Sequence, residues 1–280
     1  MSAEHGESET GPPDFIGIGA GGAGGGWWLR MLLAHPEVRG PQGRQRGLDF
    51  FRPFCARELT AADIAAYHAH FPRRPGTLTG EWSGRYLADA WTPPLLRRVA
   101  PGAKLLVMVA DPIERYRAIY ADRLAGRAEN DIVFMTDVAD RRHHATQLER
   151  LYRFFDPAQI LVLQYERCRA EPVPEYRRTL AFLGVRDPTF APRRLKPAVE
   201  GRRAAVLRRL GVPERLRRRV LEHVTARPAA PAEPATLWPE LESALHTALD
   251  EDVARLARMV PELDLGLWPG FAHLGPAASP

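Results

Sequence analysis

The stretch from Asp14 to Val38, DFIGIGAGGAGGGWWLRMLLAHPEV, limits what this chain can fold into more than any other. Phe15 to Ile18 is a short apolar run of the kind that forms a buried strand. Residues 19–26 are glycine and alanine alone, and Trp27 to Leu33 reads as the start of an amphipathic helix. Strand, glycine-rich turn and helix N-terminus together make an anion cradle, because backbone N–H groups converge there and the helix dipole adds partial positive charge. Glycine lets the backbone approach a ligand closely. The cradle's candidate binding residues are Gly21, Gly22, Gly24, Gly25 and Gly26.

Two common nucleotide sites fit poorly. Gly17, Gly19 and Gly22 satisfy GxGxxG, but that pattern needs a second strand ending in an acid about twenty residues on. The chain has HPEVRGPQGRQRG there, a loop sequence. A P-loop needs Lys followed by Ser or Thr, and residues 19–26 contain none of these.

Further along, KLLVMV (104–109) and QILVLQ (159–164) are apolar runs without alternation, which suits strands buried on both faces. Helical spacing appears over 60–71, 213–223 and 240–259, a helix is expected over 137–155, and Pro112 suits the first turn of another. Strands alternating with helices predict an α/β fold with a central parallel sheet flanked by helices. At 280 residues one domain over 14–272 is expected, with a disordered tail over 1–13 and a flexible one over 273–280. The net charge of +5 is carried almost wholly by arginine, Lys104 and Lys196 being the only lysines, and spread this way it implies no nucleic-acid partner. No apolar run is long enough to span a membrane. The polar, acidic N-terminus is no signal peptide, so a cytoplasmic location is expected. Cys55 and Cys168 fit no metal or disulfide pattern. His68 and His70, two apart, do not share a helix face, and neither do His143 and His144, so no metal is expected.

The frame of Asp14–Val38 resembles the first motif of the bacterial sulfotransferase family, whose members transfer sulfuryl groups from 3′-phosphoadenosine 5′-phosphosulfate (PAPS). FIGIGA, Ala23-Gly24, Trp27 and HPEV (35–38) match it. ADPIERYRAIY (110–120) resembles the second signature through Asp111, Pro112, Glu114, Arg115 and Tyr120, and GEWSGRYL (80–87) resembles the segment bordering the acceptor pocket. The resemblance runs from Asp14 to Phe271 and implies the sulfotransferase architecture, a P-loop-type parallel sheet. It also implies that Asp111 and Arg115 lie at the cofactor site. Against the family pattern, Gly22 stands at the catalytic Lys, Gly25 and Gly26 at the two Thr that hold the phosphosulfate, and Ala110 and Ala118 at the Arg and Ser of the 3′-phosphate.

These replacements predict that no cofactor is used and that the chain is a repurposed enzyme. It would act on a small organic substrate of specialised metabolism by acid–base or positional catalysis. Asp49, Glu81, Arg85 and His144 are the catalytic candidates; Trp27, Trp28, Trp82 and Ser83 are the substrate-binding candidates. Asp49 reads equally as a turn residue, Trp82 as core and Arg85 as surface. A non-catalytic binding protein and a PAPS-dependent sulfotransferase with unfamiliar arginine contacts, from Arg44, Arg46 or Arg194, are the alternatives.

Overall fold

A computed structural model of the chain describes residues 9–42, 47–124, 143–186 and 236–275. Five parallel strands form one sheet in the order β2-β3-β1-β4-β5. They are β1 (Phe15–Gly19), β2 (Val38–Arg39), β3 (Leu78–Trp82), β4 (Lys104–Val109) and β5 (Ile160–Gln164). β1 sits centrally, pairing Phe15 with Gly80 on one side and with Lys104 on the other. Parallel neighbours require crossovers, and helices supply them on both faces. The eight helices described are α1 (Gly25–Leu32), α2 (Ala61–His68), α3 (Thr92–Val99), α4 (Pro112–Leu124), α5 (His144–Tyr152), α6 (Tyr165–Ala170), α7 (Pro172–Leu183) and α8 (Pro239–Met259).

Side chains alternate across a strand, and β4 divides accordingly. Leu105, Val107 and Val109 enter one core with Ile16, Ile18, Phe51, Trp268 and Phe271. Leu106 and Met108 enter the other with Phe15, Trp28, Trp82 and Tyr176. Because both faces are covered, the strand reads as an unbroken apolar run.

Local chemistry fixes the helix ends. Thr60 and Asp63 form a reciprocal capping box on α2. Asp252 of α8 accepts hydrogen bonds from the Ala145 and Thr146 amides, so one helix caps the start of α5 across their interface. Gly184, at φ 82°, ends α7 in the left-handed conformation that glycine tolerates best.

Several boundaries differ from the sequence expectation. α1 starts at Gly25, two residues early, because Gly24 adopts φ 90° and takes the N-cap position. Residues 9–13, expected in a tail, run along the body: Gly11 N–H donates to the Phe71 carbonyl, Arg73 N–H to that of Glu9, and Thr10 bridges Pro72. At the other end, His273 reaches Asp250 rather than trailing free. The expected helix at 213–223, the basic stretch at 193–203 and Arg44 and Arg46 lie outside the described residues. Among those described, no helix is long and apolar enough to cross a membrane.

Candidate functional site

The glycine loop leaves β1 at the carboxyl ends of the central strands, where ligands of open α/β sheets bind. It is anchored by Ala20 N–H to the Met108 carbonyl and by Ala23 N–H to that of Ala20. Gly25 and Gly26 open α1, so their amides have no acceptor within the helix and face its positive end. Gly21 packs against Gly84 of the turn after β3, within 3.3 Å of its carbonyl by way of a Cβ position.

Two side chains from other elements occupy the room that glycine leaves. A Cβ on Gly22 would lie 2.0 Å from Nη2 of Arg115, a residue of α4. That nitrogen donates to the Gly21 carbonyl at 2.9 Å. A Cβ on Gly25 would lie 2.1 Å from Nε1 of Trp82, at the end of β3. A Cβ does not come that close to another atom, so a larger residue at Gly25 has to displace the rigid indole, and one at Gly22 has to displace the end of the Arg115 side chain. Trp82 also lies flat on Gly17, where a Cβ would come within 2.0 Å of the indole. The buried Nε1–H of Trp82, Nε1–H of Trp27 and Nε–H of Arg115 find no acceptor among the described residues. Buried donors without partners are rare and costly, and these three surround one loop. Burial lowers Arg115 to about 10, with Tyr165 and Glu166 opposing, so the guanidinium is a cation at neutral pH.

On the other side of the loop, Glu81 is fully buried. It accepts from the Leu48 amide at 3.0 Å, the Ser83 hydroxyl at 2.6 Å and the Tyr67 hydroxyl at 2.8 Å. The Asp49 amide donates to Ser83 Oγ at 2.9 Å and the Phe50 amide to the Tyr86 hydroxyl at 2.8 Å. Three successive amides are thus captured by side chains of one strand and its following turn. They hold Asp49 at φ 47°, a left-handed conformation uncommon outside glycine. The Asp49 side chain stays half-exposed. Burial pushes the Glu81 carboxyl up, against the hydrogen bonds that pull it down.

The remaining candidates are placed less centrally. Trp28 is fully buried and its indole donates to Thr179, so it packs the core and presents no face to a ligand. Trp27 contacts Trp28 and Tyr165 edge-on. The buried carboxylate of Asp111 accepts from the Ile113, Glu114 and Gly270 amides, capping α4 and pinning the C-terminal segment. Glu166 bridges the Asp111 amide and the Trp268 indole. Arg85 lies 3.9 Å from Asp89 and is half-exposed. His144 is buried at the start of α5. Tyr165 was not foreseen; a Cβ on Gly24 would lie 2.6 Å from its ring.

No protein-family profile matches the chain. Over 198 residues it is 25% identical to heparan sulfate glucosamine 3-O-sulfotransferase 3B1 of Mus musculus, covering 62% of this chain and 46% of that protein. The human counterpart is 26% identical over 196 residues. The chain therefore spans about half the length of the curated relatives it matches. A sulfotransferase from Alicyclobacillus acidocaldarius superposes with a TM-score of 0.61 over 91% of this chain and 98% of that one, at 20% identity. The sulfotransferase domain of the Synechococcus PCC 7002 olefin synthase gives 0.50 over 91% and 97%, at 17% identity. These relatives overturn the expectation of a chain without a cofactor. All are named as sulfotransferases, enzymes that normally use PAPS. The chain has the sulfotransferase fold.

Proposed function

We propose that the chain is a sulfotransferase that draws on PAPS and passes the sulfuryl group to a hydroxyl of a small organic acceptor. One observation carries this reading. Where the family pattern has Lys and Thr on the loop, this chain has glycine, and Arg115 and Trp82 bring a cation and an N–H donor to the same two points. The loop has lost its polar side chains, but polar groups from α4 and β3 stand in their place.

The fit to PAPS is good at the loop. The unpartnered donors of Trp27, Trp82 and Arg115 and the first amides of α1 suit the oxygens of a phosphosulfate. Farther off, buried Ala110 and exposed Ala118 supply only methyl groups. When bound, PAPS would supply the sulfuryl group: the new S–O bond forms to the acceptor oxygen as the phosphosulfate S–O bond breaks, and the anionic leaving group is PAP. Arg115, positively charged and already fixed against Gly21, stabilises negative charge developing beside the loop without rearranging. Asp49 takes the acceptor's hydroxyl proton as general base. Glu81, Ser83 and Tyr86 are positioning residues, since they hold the backbone of Asp49 and do not themselves reach solvent.

Calorimetric titration with 3′,5′-adenosine bisphosphate (PAP), the desulfated product, tests the reading. Micromolar, saturable binding is expected. Arg115→Ala should weaken it about 10- to 150-fold, the worth of a hydrogen bond to a charged group. If Arg115 and Trp82 instead plug a dead cleft, the natural chain will show no saturable binding.

A further inference from the structure

Away from the glycine loop, the surface carries a second cluster with its own chemistry. His246 and Asp250 are four apart on α8 and so share a helix face. The 3-10 turn Pro269–Leu274 brings His273 to the same place. His246 Nδ1 lies 3.0 Å from one Asp250 oxygen, and His273 Nε2 lies 3.0 Å from the other. The three ligating atoms all fall within 4.8 Å of one another. Phe271 holds both rings: its centroid is 5.6 Å from His246 and 6.4 Å from His273, the latter pair stacked at 26°. All three side chains remain partly open to solvent.

We infer that His246, Asp250 and His273 bind a divalent transition-metal cation, Zn2+ being the best match. Two imidazoles and a carboxylate are donors that suit Zn2+, whereas Ca2+ and Mg2+ prefer oxygen alone. Bonds of about 2.0–2.2 Å at tetrahedral angles put ligating atoms about 3.3 Å apart. Each imidazole is already near that spacing from one oxygen of Asp250, and metal binding requires the two rings to turn toward each other onto one ion. The fourth position is open to water. The pairs also satisfy a purely protein arrangement, with Asp250 accepting from two imidazoles, and the experiment separates the two.

The ion would join two segments distant in sequence. The turn holding His273 also contains Gly270, whose amide donates to Asp111, the cap of α4. A metal tie at His273 thus braces the turn that holds the start of the Arg115 helix.

The test uses the full chain without an affinity tag, stripped with EDTA, in a Cys55→Ser background so that the exposed thiol contributes no ligand. Zn2+ is titrated by calorimetry, and thermal unfolding is followed with and without the ion. One ion per chain, at micromolar affinity or tighter, with a raised melting temperature, is expected. His273→Ala and His246→Ala should each weaken binding at least about tenfold, as losing even a supporting group does at metal sites. His273 is half-exposed, so its removal leaves the core intact. Absence of one-to-one binding, or affinity in both variants unchanged from the parent chain, overturns the inference.

Discussion

Gly25 and Trp82 are a size exchange between residues far apart in the chain. The large indole of Trp82 occupies the place of any side chain on Gly25. Gly25→Thr alone forces overpacking beside the loop and should cost about 1–3 kcal/mol of stability. In a Trp82→Ala background, itself destabilised by the cavity, the same substitution should cost much less, a coupling of about 0.5–3 kcal/mol in a double-mutant cycle read by denaturant unfolding. Additive effects would show that the two residues do not share one space. The same logic applies to Gly22, where φ is 75° and Arg115 fills the side-chain position. Restoring a lysine there sets it against the arginine in a backbone conformation it dislikes, so Gly22→Lys should not improve PAP binding unless Arg115 is also shortened.

At the scale of elements, β3 and its following turn organise the backbone around Asp49. Glu81 is the anchor, and its carboxyl titrates higher in the folded chain than the usual 4.5 because burial disfavours the charge. Between 4.5 and that raised value the folded state holds more protons than the unfolded one. Its contribution to stability is therefore present at lower pH and falls as pH rises through the window. Glu81→Gln should flatten this part of the stability profile, measured by denaturant midpoints over a pH series. An unchanged slope would assign the dependence to other groups.

Elements also mark where sequence reading succeeds and where it stops. β1, β4 and β5 are legible because strands buried on both faces are written as continuous apolar runs. β2 has only two residues, Val38 and Arg39, too short to leave a pattern. The glycine loop is legible as a cradle, yet its chemistry is not, because Arg115 and Trp82 reach it only once β4 and β3 lie beside β1. The size of Trp82 was visible in GEWSGRYL, and so was the smallness of Gly25. Nothing in the linear order connects them. Trp28 misleads for the converse reason: adjacent tryptophans on a helix face different ways, and only the fold decides that this one meets Thr179. In the same way His246 and Asp250 show a shared face in sequence, whereas His273 joins them only through the C-terminal turn.

Over the whole molecule, the C-terminal segment closes the site from behind. Trp268 is fully buried and donates to Glu166, which also holds the Asp111 amide, while Asp111 accepts from Gly270. One network thus joins the end of β4, α4, α6 and the turn Pro269–Leu274, behind the helix that carries Arg115. Asp111→Ala removes a helix cap and this long-range contact together. It should cost about 1–3 kcal/mol in denaturant unfolding and should also weaken PAP binding, although the Asp111 carboxylate is taken up by backbone amides. Stability loss with unchanged affinity would uncouple the closure from the site.

The central claim is that Arg115 and Trp82 replace the polar groups missing from the loop, and the indole proton of Trp82 reports on it directly. The chain has six tryptophans, few enough to resolve each indole N–H in a 1H–15N NMR spectrum. Trp82→Phe assigns the resonance while keeping an aromatic ring in place. On titration with PAP, the Trp82 indole proton should move downfield with a saturable profile that Arg115→Ala weakens. A Trp82 signal that stays fixed while PAP saturates the protein would contradict the claim.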